Sequence, residues 1–347
     1  MKYNRRQFIG YSLSALTVSL LLKACGGSSD SPTTESDAKA FKMAIVLPGS
    51  ITDGGWNQSG YEGVKKSAEN LNAEMAYLEQ VEPANQAEAL SGFARQGYNL
   101  VIAHGGQFDA AIEQVSGQFT ETFFLAVNGN IAGENYASVT TNYLQLAYLA
   151  GAIAALMSQN NKVAFITGLS FKSTDAQAKA FELGARSINP NIETVNSFTG
   201  DFNDIAKAKE ATLALISTGV DVIYHNLDNS SPAVLETASE KGIYAIGNVS
   251  NQLEIAPEAV LTSTLQDIGG AIGYVANLVH ENQVEPEKYM LGLEHPEIVK
   301  LGKFNPIIPD MVKEKVNRIE QSMLTENLTF QDCVEGGEET VCLQETI

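Results

Sequence analysis

The stretch that decides the fold is FKMAIVLPGSITDGGWNQSGYE, residues 41–62. It begins with an unbroken apolar run, Met43 to Leu47, of the kind that forms a parallel strand buried on both faces. A polar, glycine-containing loop follows, and then a helix begins. In an open α/β sheet, ligands bind beyond the carboxyl ends of the strands. The loop that carries Asp53, Asn57 and the chain's only tryptophan, Trp56, is therefore predicted to be functional.

The same alternation of strands and helices continues along the chain. Short apolar runs that end at polar or glycine residues predict strands, and apolar residues three or four apart predict helices. Predicted strands cover 43–47, 73–77, 100–103, 123–127, 138–142, 162–168, 193–198, 221–225, 244–249 and 260–265, and predicted helices cover 63–71, 85–97, 107–116, 144–157, 175–187, 202–218, 232–241, 268–279 and 311–323. Residues 289–304 are predicted to be irregular. Repeated strand–helix units predict parallel sheets with helices on both faces.

The strand–helix pattern restarts after an apolar, alanine-rich helix. Residues 144–157 are apolar on nearly every side but are shorter than the roughly 20 residues that a membrane span needs, so this helix is predicted to be buried at a domain junction. We therefore predict an N-terminal α/β lobe at 41–143 and a C-terminal α/β lobe at 144–266. Residues 267–347 are predicted to cross back to the N-terminal lobe and to form a C-terminal segment. Two lobes whose strand ends face each other have the geometry of a hinge-closing binding protein.

The first 25 residues are predicted to be an export signal outside the fold. Residues 4–9, NRRQFI, resemble a twin-arginine signal, residues 10–22 form a short apolar core, and the segment ends at Cys25 like a lipoprotein processing site. Lys23 departs from the small or apolar residue usual near such a site. A transmembrane anchor is the alternative, but the apolar run is shorter than a span and contains several Ser and Thr residues. We predict export to the periplasm or cell surface and lipidation of Cys25.

The composition and the next segment fit an exported, anchored protein. The chain has 22 basic and 41 acidic residues and a net charge of −19, which disfavours binding to nucleic acid through phosphate neutralisation. Residues 26–40 are rich in Gly, Ser, Thr and acidic residues and are predicted to form a flexible tether. Its 347 residues are enough for two domains with well-buried cores.

The chain has two cysteines besides Cys25. Cys333 and Cys342 lie close together near the C-terminus, and in an exported protein they are predicted to close a small disulfide loop. A metal site is the alternative, although no histidine lies near either cysteine in sequence.

The sequence has no HExxH motif, no phosphate loop of the GxxxxGK[ST] type and no nucleophile elbow. No catalytic residue, metal or cofactor is predicted.

Several motifs together resemble the basic-membrane-protein family, the solute-binding lipoproteins of ABC importers, whose best understood members bind purine nucleosides. The resemblance covers nearly all of residues 41–325. It rests on DGGWNQSGYEG at 53–63, FLAVNGN at 124–130, NYLQLAYLAGAIAALMS at 142–158, SFTGDFNDIAKAKEA at 197–211, GVDVIYHN at 219–226, GIYAIGNVSNQ at 242–252 and VLTSTLQDIGGAI at 260–272. It implies the two-lobed α/β fold of type I periplasmic binding proteins, an ABC permease and ATPase as partners, and a monomer.

The resemblance also implies a site in which aromatic residues of the two lobes sandwich a flat base. The first-lobe aromatic is Trp56 and the second-lobe aromatic is Phe202. Stacking on aromatic rings is favourable for any flat π-system, by roughly 1–3 kcal/mol per base. The alternatives are a core residue at a helix start for Trp56 and an apolar helix staple for Phe202. Asp53 and Asn57 are either groups that read the edge of the base or ordinary turn and cap residues.

Three positions depart from the nucleoside-binding members of that family. Asn128 and Asn248 stand where those members carry aspartates, and Gln266 stands where they carry a lysine. An amide offers one acceptor and a two-proton donor, so Asn248 holds ribose hydroxyls less well than a carboxylate. Amides at these positions suit a ligand with both carbonyl and N–H edges, such as an oxidised purine or another nucleobase. Asn226, at a strand end, and Asp228, just beyond it, complete the predicted site.

The roles of two histidines and the choice between three functions are left open by the sequence. His104 and His225 each end a predicted strand near the cleft, and each is either a packed, hydrogen-bonded residue or a ligand group. Capture of a solute for an importer is the preferred function. A sensory receptor for the same ligand class uses the same lobe closure and is an alternative. A nucleoside or base hydrolase is the second alternative, and the missing catalytic motifs argue against it.

Overall fold

The computed structural model describes residues 40–53, 56–325, 328–335 and 338–345. The predicted export signal, its Cys25 and the tether as far as Lys39 lie outside the described residues.

Strands and helices alternate along most of the described chain. The strands are β1 Lys42–Val46, β2 Glu74–Leu78, β3 Leu100–His104, β4 Phe123–Val127, β5 Tyr136–Thr141, β6 Lys162–Thr167, β7 Glu193–Phe198, β8 Val222–Asn226, β9 Tyr244–Val249, β10 Val260–Gln266, β11 Lys288–Leu291, β12 Val299–Leu301, β13 Leu328–Glu335 and β14 Glu338–Glu345. The helices are α1 Trp56–Asn70, α2 Gln86–Arg95, α3 Asp109–Ser116, α4 Tyr143–Met157, α5 Lys172–Ile188, α6 Ile205–Ser217, α7 Ser231–Lys241, α8 Ile268–His280 and α9 Asp310–Leu324.

Two six-stranded sheets have matching strand orders. The first runs β11-β5-β4-β3-β1-β2 and the second β12-β10-β9-β8-β6-β7, so β3 and β8 occupy equivalent places, as do β4 and β9. All pairs in the first sheet are parallel. In the second sheet the edge strand β12 runs antiparallel to β10, and the other pairs are parallel. The central strands are buried almost throughout, which is why they are unbroken apolar runs.

Two short edge strands lie where the sequence predicted irregular structure. Residues 288–291 form β11 and pair with β5 in the first sheet, and residues 299–301 form β12 in the second sheet. The prediction for 289–304 was therefore wrong over these two segments. Each strand is only three or four residues long and contains a lysine, so neither has the apolar run from which the longer strands were predicted.

Within residues 40–325, as far as they are described, the chain passes between the two sheets three times, and hydrogen bonds link these crossings. After β5, the Asn142 N–H donates to the Leu291 carbonyl at 2.7 Å. The Leu293 N–H donates to Oε1 of Gln145 in helix α4 at 2.9 Å. After β10, the Asp267 N–H donates to the carbonyl of Ile298 at 2.8 Å. Three short connections bonded to one another form a compact hinge between the lobes.

Helix α4 has the buried environment predicted for it. Its residues from Leu144 to Ala154 are buried, and it packs against α5 and α9. Within the described residues, no helix is both long and apolar enough to cross a membrane.

A C-terminal hairpin follows α9. Strands β13 and β14 pair antiparallel, and a disulfide joins Cys333 to Cys342 across them. Phe330 of this hairpin makes an edge contact with Tyr148 of α4, with ring centroids 5.9 Å apart. The hairpin therefore packs on the helix that follows the first hinge crossing.

Candidate functional site

A cavity of about 770 Å³ lies between the carboxyl ends of the two sheets. Its lining combines aromatic side chains with amides and hydroxyls from both lobes and from the hinge. Pockets of roughly 300–1,000 Å³ are typical of small-molecule sites. Seven of the predicted site residues line it: Trp56, Asn128, Phe202, Asn226, Asp228, Asn248 and Gln266.

The first-lobe wall is built on Trp56, the first residue of α1. One face of its indole stacks on the imidazole of His104, with ring centroids 4.2 Å apart and planes inclined by 20°. His104 ends β3 and is fully buried, and its Nε2 lies 2.9 Å from the Trp56 carbonyl oxygen. A carbonyl only accepts, so Nε2 carries the proton. Burial lowers the pKa of His104 to about 4, so the ring behind Trp56 is neutral.

Asp53 and Asn57 support helix α1 through hydrogen bonds, as in the turn-and-cap alternative given for them from the sequence. Asp53 Oδ2 accepts from the backbone N–H and from Nδ2 of Asn57 at 3.0 and 2.7 Å. Asp53 Oδ1 accepts from the Gln58 N–H at 3.0 Å. Asn57 Oδ1 accepts from the Gly49 N–H at 3.1 Å. The first turn of a helix has N–H groups without partners in the helix, and a carboxylate just before it satisfies them.

The second-lobe wall carries two phenylalanines. Phe202 lies in the loop before α6 rather than in the helix predicted from residue 202, because Asp204 caps α6 by accepting the Lys207 N–H at 3.0 Å. Its ring lies so close to Gly168 that a Cβ there would overlap it. Phe171, which the sequence analysis missed, stacks on Phe202 with centroids 6.2 Å apart and planes inclined by 15°.

Phe202 is held by its backbone and by the neighbouring loop. Its carbonyl accepts from the Asp228 N–H at 3.0 Å and from Ser230 Oγ at 2.7 Å. The side chain of Asp228 lines the same cavity. Desolvation raises the pKa of Asp228, and the negative charge of Asp53 raises it further. The two carboxylates therefore interact although they belong to different lobes.

Amide side chains form the floor of the cavity at the ends of β8, β9 and β10. Asn248 is buried, and its Oδ1 accepts from Thr264 Oγ1 at 2.7 Å, Tyr224 OH at 3.1 Å and Gln266 Nε2 at 3.2 Å. Its Nδ2 donates to Asn226 Oδ1 at 3.4 Å. These amides were predicted one by one, but their mutual bonding was not predicted.

Two further contacts extend the amide network. Asn226 Nδ2 donates to Gln177 Oε1 at 2.6 Å, and Gln177 Nε2 donates to Tyr224 OH at 3.0 Å. At the other end, Thr141 Oγ1 of the first lobe donates to Gln266 Oε1 at 2.7 Å. The network therefore runs from the hinge into the second lobe, and it includes buried side chains that the ligand does not need to order.

His225 supports this floor from below. It is fully buried, and its Nδ1 accepts the Leu227 N–H at 3.3 Å, so the proton is on Nε2 and points at Gln252 Oε1, 2.8 Å away. Gln252 also accepts the Asn248 N–H at 3.0 Å and donates to Ser231 Oγ at 3.0 Å. Burial lowers the pKa of His225 to about 4. For both histidines the structure matches the packed alternative rather than the ligand-group alternative.

Several residues that line the cavity were not predicted from the sequence. They come from the β6–α5 segment, the hinge, the start of α7 and the loop after β9: Thr141, Tyr143, Phe171, Thr174, Gln177, Ser231 and Gln252. Phe171 shares with Trp56 the signal of an aromatic residue in the polar segment after a strand, which would have identified it. Gln177 lies inside a helix and shows no such signal. Among the described residues, no group of three or more His, Cys, Asp or Glu side chains is placed to hold a metal.

Comparison with known proteins gives one matching family and similar structures. The family described as PnrA-like ABC transporter substrate-binding proteins (Bmp) matches residues 40–332. The transcriptional activator protein med of Bacillus subtilis is 26% identical over 304 residues, covering 87% of this chain and 93% of that protein. A purine-binding protein of Brucella abortus is 26% identical over 284 residues, covering 81% of this chain and 80% of that protein.

Solved structures show the same fold. A transcriptional activator of the comK gene from Bacillus halodurans has a TM-score of 0.72 at 25% identity and covers 82% of this chain and 97% of its own. A solute-binding protein of an ABC transporter system from Aeropyrum pernix has a TM-score of 0.71 at 18% identity, covering 85% and 94%. These neighbours confirm the predicted two-lobed α/β fold of type I periplasmic binding proteins.

Proposed function

Because the chain belongs to the Bmp family of PnrA-like ABC transporter substrate-binding proteins, we propose that it captures a flat heteroaromatic solute for an importer. The solute is a purine nucleobase, a nucleoside or a related compound. The observation that carries this proposal is the pair of aromatic walls: Trp56 of the first lobe and Phe202 of the second line one cavity from opposite sides.

The arrangement of the walls suits a planar ligand. The indole of Trp56 is supported behind by His104, and the ring of Phe202 is supported by Phe171, so both are held as platforms. Stacking is favourable for any flat π-system, and here it acts from both sides once the lobes close. The amide floor supplies the polar groups that a heteroaromatic edge requires. The relative from Brucella abortus named as purine-binding is consistent with this ligand class.

Lobe closure about the hinge is the proposed mechanism of capture. The ligand contacts residues of both lobes only when the cleft is closed, so it stabilises the closed state by its differential affinity. The proposed units are the N-terminal lobe 41–143, the C-terminal lobe 144–266, and residues 267–347, which begin with the return to the first lobe.

The proposed setting is outside the cytoplasm, next to an ABC permease and ATPase. The twin-arginine-like signal, the Cys25 processing site and the tether at 26–40 support export and lipid anchoring. The net charge of −19 and the two-lobed fold support a monomeric binding protein without nucleic-acid contacts.

A thermal-shift screen tests the proposal. The folded protein is heated with purines, pyrimidines, their nucleosides and flavins, since a ligand of the native state raises the apparent stability by RT ln(1 + [L]/Kd). We expect a rise in Tm with at least one purine-class compound and a smaller rise in the Trp56→Ala variant. No shift with any of these compounds contradicts the proposal. Release of a free base from a nucleoside would instead support the hydrolase alternative.

A further inference from the structure

The hydrogen bonds in the floor of the cavity all run the same way: each side-chain amide accepts a bond with its oxygen and donates the next bond with its nitrogen. Thr141 donates to Gln266, Gln266 to Asn248, Asn248 to Asn226, and Asn226 to Gln177. An amide nitrogen carries two protons; these bonds use one proton each of Gln266, Asn248 and Asn226, and Gln177 donates one of its protons to Tyr224 OH. The remaining N–H of each is the group left for the cavity that all four amides line.

Asn248 shows this polarity most clearly. Its Oδ1 is surrounded by three donors, the Thr264 and Tyr224 hydroxyls and the Gln266 amide, at 2.7, 3.1 and 3.2 Å. A carbonyl oxygen has two lone pairs, so this oxygen has no capacity left for a ligand. Rotating the amide by half a turn would place its NH₂ against the NH₂ of Gln266. The Thr264 and Tyr224 hydroxyls can accept as well as donate, so the contact with Gln266 Nε2 sets the direction of this buried amide.

The surroundings of Asn248 fix its backbone as well. Its N–H donates to Gln252 Oε1 at 3.0 Å, and that oxygen also accepts from His225, 2.8 Å away. Because His225 is fully buried with its proton on Nε2, Gln252 is held with its oxygen toward Asn248. Gln252 thus holds the backbone of Asn248, and Thr264, Tyr224 and Gln266 hold its side-chain amide.

We propose that this floor is a hydrogen-bond donor surface that selects ligands by the acceptors on the edge that meets it. Resting on the proposed function, the inference names the ligand class as purines with oxo groups, in preference to purines with an exocyclic amine. An oxo group and a ring nitrogen accept the N–H groups of Asn248, Asn226 and Gln266. An amine facing the same groups brings donors against donors, and a buried donor without an acceptor is destabilising. The sequence predicted a ligand with both carbonyl and N–H edges, and this proposal specifies that the edge facing the floor carries the acceptors.

Hypoxanthine and adenine provide the test, because the oxo group at C6 of hypoxanthine is an amine in adenine; the only other difference is the proton that hypoxanthine carries on N1. Isothermal titration of the full chain is expected to show at least tenfold tighter binding of hypoxanthine. Asn248→Asp keeps the shape but supplies a carboxylate oxygen in place of the NH₂, and we expect the preference to fall at least fivefold or to reverse. Asn251→Asp is the matched control: it adds the same charge at an exposed position outside the cavity lining and leaves the ratio unchanged.

A second variant protects the test against a folding defect at a buried site. Gln266→Glu changes the polarity in the same sense at a partly exposed position and is expected to reduce the preference too. If adenine binds as tightly as hypoxanthine to the unaltered chain, or if both variants leave a hypoxanthine preference unchanged, the donor-surface inference is overturned while purine capture stands. If neither base binds and no purine, pyrimidine, nucleoside or flavin raises the Tm, both the inference and the proposed function fail.

Discussion

The two walls of the cleft occupy equivalent places in the two lobes, but they are built differently. In the first lobe the histidine that ends β3 stacks on Trp56, and its Nδ1 is buried without a hydrogen-bond partner in the described structure. In the second lobe His225 of β8 has both ring nitrogens bonded and supports the amide floor through Gln252. The first lobe offers a flat platform, whereas the second offers a fixed polar surface. In the proposed mode of binding, the second lobe therefore contacts the ligand's edge as well as one face, and the first lobe closes over the other face.

The two lobes also differ at Asn128, which follows β4, and at Val249, which ends β9. Asn128 and Val249 both have positive φ, 54° and 67°, and both line the cavity. Asparagine tolerates this left-handed conformation, whereas a β-branched residue there is a clear outlier. The second lobe therefore has backbone strain next to its amide floor, as is common at functional sites.

The largest expected effect is a loss of folding stability at low pH, caused by the two buried histidines, His104 and His225. Both are held neutral, with pKa near 4 in the folded state against about 6.5 when unfolded. Between these values the unfolded state binds more protons, so stability is retained above pH 6.5 and is lost as the pH falls toward 4. The expected loss is on the order of 3 kcal/mol per histidine by pH 4. Urea unfolding at several pH values measures it.

A histidine variant separates this effect from the titration of carboxylates. His225→Gln is expected to lower stability at neutral pH but to flatten the dependence between pH 6.5 and 4. His280→Gln, at an exposed histidine, is the control and should keep the slope of the unaltered chain. An equally steep dependence in His225→Gln would contradict the assignment.

The two aromatic platforms should matter to similar extents. Trp56→Ala and Phe202→Ala are each expected to weaken binding of a purine-class ligand at least tenfold, because each removes a stacking face worth roughly 1–3 kcal/mol. Calorimetric titration measures the affinity, and circular dichroism checks that the variants fold. Unchanged affinity in both variants would remove the sandwich from the account.

Exchanging the residue types at Asn128 and Val249, the two positions with left-handed backbone, tests whether the backbone at Val249 is strained. Val249→Asn is expected to stabilise the protein by about 1 kcal/mol, because asparagine adopts positive φ more easily than valine. Asn128→Val, the reverse exchange in the first lobe, should destabilise it by a similar amount. Urea unfolding measures both, and a destabilised Val249→Asn would show that the valine makes contacts that outweigh its backbone strain.

The smallest effect on binding is expected at Asp53. Asp53→Ala removes a carboxylate that accepts N–H groups from the first turn of α1, so stability should fall by about 1 kcal/mol. Affinity should change less than threefold, because Asp53 does not line the cavity. A tenfold loss of affinity with unchanged stability would restore the edge-reading role.

Much of the fold follows from the sequence, because its central strands are buried on both faces. Residues 123–127 and 244–249 form strands with the predicted bounds, and the buried helix α4 begins one residue before its predicted start. The edge strands β11 and β12 escaped prediction because they are only four and three residues long and have no long apolar run. Their pairing depends on how the chain returns at the hinge, which local patterns do not encode.

The site was predicted less completely than the fold. Single residues at strand ends, such as Asn248 and Phe202, were identified because strand ends meet at the ligand crevice. Gln177 was not identified, since it lies within a helix and reaches the floor only through tertiary packing. The direction in which each amide points depends on hydroxyls of distant strands, such as those of Tyr224 and Thr264.

The most direct test of a clamp closing on a flat ligand uses the fluorescence of Trp56. It is the only tryptophan of the chain and lines the cleft. Excitation at the long-wavelength end of the indole absorption band therefore reports on one wall of the cleft without any label. Titration with a purine that raises the Tm should change the emission saturably, with the same Kd as calorimetry. The Phe202→Ala variant should shift that midpoint to higher concentration. A ligand that raises the Tm and leaves the emission of Trp56 unchanged would contradict the account.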